Sequence, residues 1–574
     1  MNLQISLIAS ILLASLGFVL PENTVAEASP STASFTVTQS PESSPNSAKD
    51  YLIRGLAYGE QGNYELALAD LNKAIEIEPN LALAYVGRGF VYVKQRKGDL
   101  ALADYNKAIE IEPDLAEAYY NRGLVYVEQK KADLALADYN QAIEINSNYA
   151  KAYVSRAIVY NEQKKADLAL ADYSQAIEID PNLAAAYIER GSFYVKQGLA
   201  DLALADFSQA IEINPSLAEA YSNRGVVYNE QKKADLALAD YSQAIEIDPN
   251  LAEAYHNRGL IYRRQGKTDL ALADYSQAIE INPNLAEAHH NRGLIYHRQG
   301  KTDLALADFS QAIEINPNMA KVHANRGVVY HEQGKIDLAL ADYSQAIEIN
   351  PNFAKAYVNR ADIYSEQGLT DLALADFDRA IEINPNLAEA YVNRGDVYSE
   401  QGLADLALAD YNQAIEINPN MVGAYYNRGL IYGQQGNYDL ELADYDRVIE
   451  INPNFARAYY NRGIIYGRKG KADLALADYS QTIKIDPNFV EAYVNRGVIY
   501  GKQEKVNLAL ADYNQAIEID PDCAEAYTNR GVIYGWQGKT DLAIADFENA
   551  KQLFSARGNL AAVEEVDRFL RLLP

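Results

Sequence analysis

The sequence predicts an all-α protein: a solenoid of tandem helix-turn-helix units. Three observations predict it. From Ala48 to Arg557 the chain repeats every 34 residues without insertion, which makes fifteen units. Within each unit the apolar residues recur at spacings of three and four, the mark of one helical face. Each unit also breaks that pattern twice, near its middle and at its end, with turn-forming residues. In architectures of this period no unit completes a core alone, and each buries its apolar face on the next.

The unit Ala252 to Leu285 shows the logic, with positions counted from the first residue of each unit. Ala254, Tyr255, Arg258, Gly259 and Tyr262 share one face of a first helix. Gln265-Gly266-Lys267-Thr268 interrupts it, and Asp269 is the expected N-cap of a second helix. Ala271, Leu272, Tyr275, Ala278 and Ile279 form the apolar face of that helix, and Asn282-Pro283-Asn284 stops it. Position 8 is Gly in thirteen units and Ala in two, Ala157 and Ala361. Position 20 is Ala in fourteen units and position 27 in thirteen. Such side chains let two helix backbones approach closely. Position 11 is Tyr in every unit, from Tyr58 to Tyr534, and is expected to fill the space beside them. Glu441 stands at position 20 of the twelfth unit, so that hairpin should be looser.

Outside the repeats the chain has three further segments. Ile5 to Leu20 is an apolar run, ended by Pro21 and followed by the small-x-small pattern Ala26-Glu27-Ala28. Residues 1–28 therefore read as a secretory signal cut after Ala28, which implies export to a periplasmic, lumenal or secreted location. A retained membrane anchor is the alternative, although the run is short against the roughly 20 residues of a spanning helix, and a third reading is that it is neither. The stretch Met1-Asn2-Leu3-Gln4 lacks the basic residue a signal usually carries. Residues 29–47 are rich in Ser, Pro and Thr and read as a disordered linker. Residues 558–574 carry Val563, Val566, Phe569 and Leu570 at helical spacing, the pattern of a capping helix that closes a solenoid.

Charge and cysteine usage exclude several function classes. The net charge of −28 repels nucleic acid and anionic membrane surfaces and favours basic partners. No nucleic-acid partner is expected, and a membrane is reached only through the N-terminal segment if it stays uncleaved. One cysteine, Cys523, excludes an intramolecular disulfide framework and a cysteine-rich metal site. No nucleophile motif, phosphate loop or zinc spacing lies outside the repeats, so no catalytic residue, metal or cofactor is expected.

An aromatic at position 4, Gly at 8, Tyr at 11, Ala at 20, an aromatic at 24, Ala at 27 and Pro at 32 together resemble the tetratricopeptide repeat. The resemblance implies a right-handed superhelix of helix pairs, with the first helix of each pair lining a concave groove. Fifteen units should then wind through more than one superhelical turn. It also implies protein–protein interaction as the function. The carboxylate clamp of the chaperone-binding members needs Lys at position 5 and Asn at position 9, and no unit here has either.

Given that resemblance, position 6 lies on the concave face. It is Asn121 in the third unit and then Asn223, Asn257, Asn291, Asn325, Asn359, Asn393, Asn427, Asn461, Asn495 and Asn529 in ten consecutive units. Each amide both donates and accepts, so the row is a candidate site for the backbone of an extended peptide. It is similar to the asparagine ladder in the repeat region of O-GlcNAc transferases. The bland alternative is a row of solvated asparagines. Ile53, Gly87, Ser155 and Glu189 break the row in units one, two, four and five.

Three other sets stand out. Position 7 is Arg and position 23 is Asp in all fifteen units, which suggests structural pairs such as Arg258 with Asp274 and Arg292 with Asp308. All six histidines fall in units seven to nine. His289 and His323 take the aromatic position 4. His256, Arg263, Arg264, His290, His297, Arg298, Lys321 and His331 form a candidate basic zone of the groove, suited to an acidic partner segment. Position 19 is Leu throughout, from Leu66 to Leu542. This stripe either packs on the neighbouring second helix or forms an outer self-association surface.

The sequence thus leads to a non-catalytic scaffold that binds extended or acidic segments of other proteins along the groove, in assembly of envelope or membrane complexes. The competing expectation is a structural, self-associating protein that uses the outer Leu stripe.

Overall fold

A computed structural model describes residues 46–573, so the predicted signal and most of the linker lie outside the described residues. Thirty-one α-helices and no strands are present among the described residues. In each repeat, helix A covers positions 1–13 and helix B starts at position 17, as in Ala252–Arg264 and Thr268–Ile281. The chain forms two compact units, the first ending at Gly300 and the second starting at Lys301. No helix among the described residues is long and apolar enough to cross a membrane.

Two turns recur, each with its own chemistry. Between helices A and B, position 15 takes a left-handed conformation in every repeat. It is Gly in ten of them, for example Gly266 at φ 72°, but Arg96, Lys130, Lys164, Lys232 and Glu504 in the others, at φ 57–61°. Between repeats, the side chain of position 31 accepts the backbone N–H of position 33, as Asn282 does from Asn284 at 3.1 Å, closing an Asx turn across the proline. Asp269 is not an N-cap: helix B starts one residue earlier, at Thr268, and Lys267 sits at the cap without a side-chain bond. The first helix has a true cap, since Ser47 and Asp50 form a reciprocal capping box.

The core repeats with the chain. The Cα of position 8 meets the ring of position 24: a β-carbon on Gly259 would stand 2.8 Å from Tyr275 Cε1. Tyr275 and its counterparts Tyr105, Tyr139, Tyr173 and Tyr241 are fully buried. The ring in the glycine notch is therefore position 24. The position-11 tyrosine, expected there, lies further out and stacks on the position-7 arginine of its own helix, as Tyr262 does under Arg258 at 5.9 Å. At Gly429 the same imagined β-carbon would stand 3.1 Å from Tyr445 Cε1. That hairpin carries Glu441, which is buried against Gly433, so the expected loosening is about 0.3 Å at this contact.

Helices A of neighbouring repeats pack on one another, as Ala48–Glu60 does on Ala82–Lys94, whereas no pair of adjacent helices B comes as close among the described residues. Within each unit the helix-A face is therefore the inner one. At the C-terminal end, helix Leu560–Leu572 caps the last hairpin. Phe569 stacks on Phe547 at 5.6 Å, Val566 is buried, and Lys551 pairs with Asp567 at 2.6 Å.

Candidate functional site

The helix-A face is built on a rigid frame of arginines. Arg258 sends Nε and Nη2 to the two carboxylate oxygens of Asp274, at 2.9 and 2.8 Å. Its Nη1 reaches Ser242 of the preceding repeat at 3.2 Å. The guanidinium also lies over Tyr255 and Tyr262. One side chain thus ties helix A to helix B of its own repeat and to helix B of the repeat before. The bond to Asp274 raises the Arg258 pKa, so the guanidinium stays charged as pH rises. The same fork recurs from Arg54–Asp70 to Arg530–Asp546. Arg292 makes the backward bond to Ser276 at 3.2 Å and stacks on Tyr296. Asp308 is buried, and it falls in the second unit. With their fork occupied, these arginines are frame and not ligand contacts.

The position-6 amides lie on this face, half-buried or buried, and the nitrogens of five of them are tied to the repeat before. Asn393 donates to Asp362 and Asn427 to Asp396, both at 2.7 Å. Asn461 donates to Tyr426 and Tyr445, and Asn495 to Tyr460 at 3.0 Å. Asn291 is buried, with Nδ2 on the Glu287 carbonyl at 2.8 Å and 3.1 Å from His256 Nε2. Asp362, Asp396, Tyr426, Tyr460 and His256 occupy positions 9 and 5 of the preceding repeat, Tyr445 its position 24, and Glu287 lies in the helix of Asn291 itself; the bonds use the amide nitrogen while leaving the amide oxygen uncommitted. Asn359 is half-buried beside Tyr343. Asn257, Asn325 and Asn529 sit at the same half-buried level. Asn223 is buried, and its Nδ2 has no partner among the described residues.

The basic zone divides. Lys321 and His331 belong to the second unit, the other six members to the first. His256 does not belong in a cationic zone. It is buried, and burial, with Arg263 and His290 nearby, holds its pKa down at about 4, so the imidazole is neutral. Arg264 and Arg298 are exposed, and Arg264 donates to Asn229 at 3.0 Å. Arg263 is partly buried with no partner for Nε, and the hydroxyl of Tyr275 is likewise without one among the described residues. His331 pairs with Glu366 at 3.0 Å. The two position-4 histidines replace tyrosine in kind: His289 and His323 place Nε2 3.2 and 3.1 Å from Pro283 and Pro317 carbonyls, where Tyr85 uses its hydroxyl on Pro79.

Sequence reasoning missed the acids of this face. Asp362 and Asp396 stand at position 9, where most repeats carry an aliphatic residue, and burial pushes Asp362 up to about 6. Glu189, noted only as a break in the asparagine row, is buried at 7% exposure. The signal was present as departures from an otherwise apolar or amide position. Among the described residues no group of three or more His, Cys, Asp or Glu could hold a metal ion.

The outer Leu stripe does not pack away. All fifteen side chains are about half exposed, from 46% at Leu474 to 51% at Leu66, because no neighbouring helix B comes close enough to cover them.

A family model described as TPR repeat matches residues 55–95, 97–130, 159–198, 191–232, 227–266, 259–300, 293–334, 329–368 and 431–470. Models described as tetratricopeptide repeat match residues 116–149, 352–420, 410–443, 456–489, 490–523 and 524–556. Among curated proteins none matches. Among solved structures, the chain is similar to the APC/C hetero-tetramer Cut9–Hcn1, at 16% identity and a TM-score of 0.37, over 84% of this chain and 96% of that one. It is also similar to YrrB, described as a TPR protein with an unusual peptide-binding site, at 28% identity and 0.27, over 33% of this chain and 97% of that one. The human IFIT1 dimer with PPP-AAAA is 17% identical at 0.39, over 65% and 91%. Repeat models cover the array from its first hairpin to its last, and the chain belongs to the tetratricopeptide repeat family.

Proposed function

We propose that the chain is a non-catalytic scaffold whose helix-A face holds an extended segment of a partner protein. Proteins of this repeat family bind other proteins. One observation carries the reading here: in four consecutive repeats the amides of Asn393, Asn427, Asn461 and Asn495 are fixed by bonds through nitrogen to the repeat before, which leaves a row of oriented oxygens for backbone N–H groups. Preorganised acceptors cost little ordering when a segment binds. The export signal sets this binding in the assembly of envelope or membrane complexes outside the cytoplasm. The exposed Arg264 and Arg298 suit an acidic stretch of the segment.

The test replaces Asn393, Asn427, Asn461 and Asn495 together with Ala in the full chain. Capture of partners from the exported fraction should be lost while the helical circular dichroism signal stays. Unchanged capture would overturn the reading.

The half-exposed Leu stripe favours a second reading, self-association through the outer face. Light scattering of the chain at high concentration tests it: a strict monomer eliminates self-association, and an oligomer broken by Leu270→Lys with Leu304→Lys supports it.

A further inference from the structure

Repeats five and six depart from the ladder in a coordinated way. In five later repeats a position-6 amide donates to position 9 or position 5 of the repeat before, as Asn393 does to Asp362 and Asn495 to Tyr460. For Asn223 those two positions hold Ser192 and Ile188. Isoleucine offers no acceptor, and the serine hydroxyl does not take the bond. Asn223 Nδ2 and Ser192 Oγ are both buried without a well-formed hydrogen bond among the described residues, in side chains 8% and 2% exposed, and the group nearest the Asn223 amide is the Glu219 carboxyl of its own helix. Buried polar atoms without partners cost about 1–3 kcal/mol each, and folded proteins hold few of them. Two at adjacent ladder positions mark a place where something polar completes the face.

The third element is a carboxyl. Glu189 takes the ladder position of repeat five, three residues before Ser192 on the same helix face. It is 7% exposed, and only burial, Glu219 and Lys196 act on its proton, with no hydrogen bond among the described residues. Burial and then Glu219 raise it to about 8. Glu219, from helix A of repeat six, is itself raised by burial to about 7, with the Asn223 amide acting the other way. The other titratable groups near Glu189 are Lys196 on its own helix, which burial lowers, Glu162 on helix A of repeat four, and Tyr173 on helix B of repeat four. Glu189 and Glu162 therefore share one ammonium, Lys196, which makes no ion pair with either among the described residues, and Glu219 adds a further carboxyl beside Glu189.

We infer that Glu189, Ser192 and Asn223 form a pocket for one basic side chain, lysine or arginine, of the bound segment. The inference rests on the reading of the helix-A face as a peptide groove and adds a specificity position to it. The ammonium or guanidinium donates to the Glu189 carboxylate and to Ser192 Oγ, while Asn223 Nδ2 donates to a backbone carbonyl of the segment. Glu189 enters the complex as its conjugate base, so its proton leaves to solvent as the cation arrives, one proton for one cation. The pocket is then electrically matched, and the row of amides that begins at Asn223 continues the grip on the backbone toward the C-terminal repeats.

The test uses the full chain and two short, capped peptides of alternating serine and alanine, one with a central lysine and one with norleucine in its place. The lysine peptide should bind about tenfold tighter or better. Calorimetry at pH 7 in two buffers of different ionisation enthalpy should count about one proton released with lysine and none with norleucine. Glu189→Gln should bring the lysine peptide down to the norleucine level and abolish the proton release. Glu189→Asn, which installs the residue of repeats six to fifteen, should do the same and guards against a folding defect. Equal binding of the two peptides by the unsubstituted chain, or an unchanged preference in both variants, overturns the pocket. If the fourfold Asn→Ala chain then loses both peptides, the groove stands without the pocket. If neither peptide binds the unsubstituted chain at millimolar concentration, both readings fall.

Discussion

Asn291 Nδ2 stands 3.1 Å from His256 Nε2, so an amide of one repeat donates to a buried, neutral imidazole of the repeat before. Protonating His256 would turn that acceptor into a donor and set two donors against each other. Its pKa is lowered to about 4 by burial first, then by Arg263 and His290. The unfolded chain takes up this proton near pH 6.5 and the folded chain only near 4. The stability linked to this group is therefore complete above pH 6.5 and is lost as pH falls from there to about 4, on the order of 3 kcal/mol in all. Hydrogen exchange over residues 252–298 should show local opening at pH 4.5 that is weak at pH 7. His256→Tyr, which installs the tyrosine seen at this position in Tyr426 and Tyr460, should reduce that acid sensitivity. Equal acid response in the variant would contradict the assignment.

The Arg258–Asp274 pair predicts an asymmetry. The Asp274 side chain is 7% exposed and that of Arg258 is 19%. Removing the arginine leaves a carboxylate buried without its counterion, whereas removing the aspartate leaves a guanidinium with Ser242 and some water. Arg258→Ala should cost about 3–5 kcal/mol and Asp274→Ala about 2–3 kcal/mol. Arg258→Lys should recover little, because a point charge cannot span two oxygens and Ser242 at once. Urea melts of the four members of a double-mutant cycle would measure this, with a coupling under about 0.5 kcal/mol contradicting it.

Five left-handed turn positions carry a side chain that disfavours them. Lys130, Lys164 and Lys232 sit at φ 57–61°, where Gly sits in most repeats. Each substitution Lys→Gly should stabilise by about 1 kcal/mol, since the strain of roughly 1–2 kcal/mol is offset in part by the freedom glycine brings to the unfolded chain. The triple variant should melt several degrees higher. Gly266→Lys should move stability the other way.

Glu441 and Gly433 should be coupled. A β-carbon on Gly433 would stand 2.5 Å from Glu441 Oε1, and Glu441 Oε2 is buried without a partner among the described residues. Gly433→Ala alone should destabilise. Glu441→Ala alone should be close to neutral, because relief of the orphan oxygen is offset by the space it leaves. The double substitution should exceed the sum of the two by about 1 kcal/mol, read from thermal melts.

The period, the two helices of each repeat and the phasing of Arg with Asp were legible because each is written many times over at fixed spacing. Helix patterns also placed Tyr255, Gly259 and Tyr275 on inward faces. What single positions do against the neighbouring repeat was not legible. Tyr262 and Tyr275 have the same chemistry, and only the approach of the two backbones at Gly259 decides that Tyr275 takes the notch. His256 reads as a base until a third helix buries it. Leu270 reads as core by its constancy, yet it is half exposed because the outer helices splay apart. Glu189 reads as a gap in a ladder until its two unpartnered neighbours are seen beside it.

The arginine fork has a further consequence. Arg258 reaches sixteen residues forward to Asp274 and sixteen residues back to Ser242. The joints share this reach, with a short polar side chain as the backward partner (Ser242 here, Asn72 for Arg88, Asp378 for Arg394), and a repeat removed or inserted whole leaves a joint of the same reach. Chain length then becomes a free variable of the design. Such an array works as a ruler whose length can change by whole divisions, and folding it requires no contact that grows more distant in sequence as the ruler lengthens.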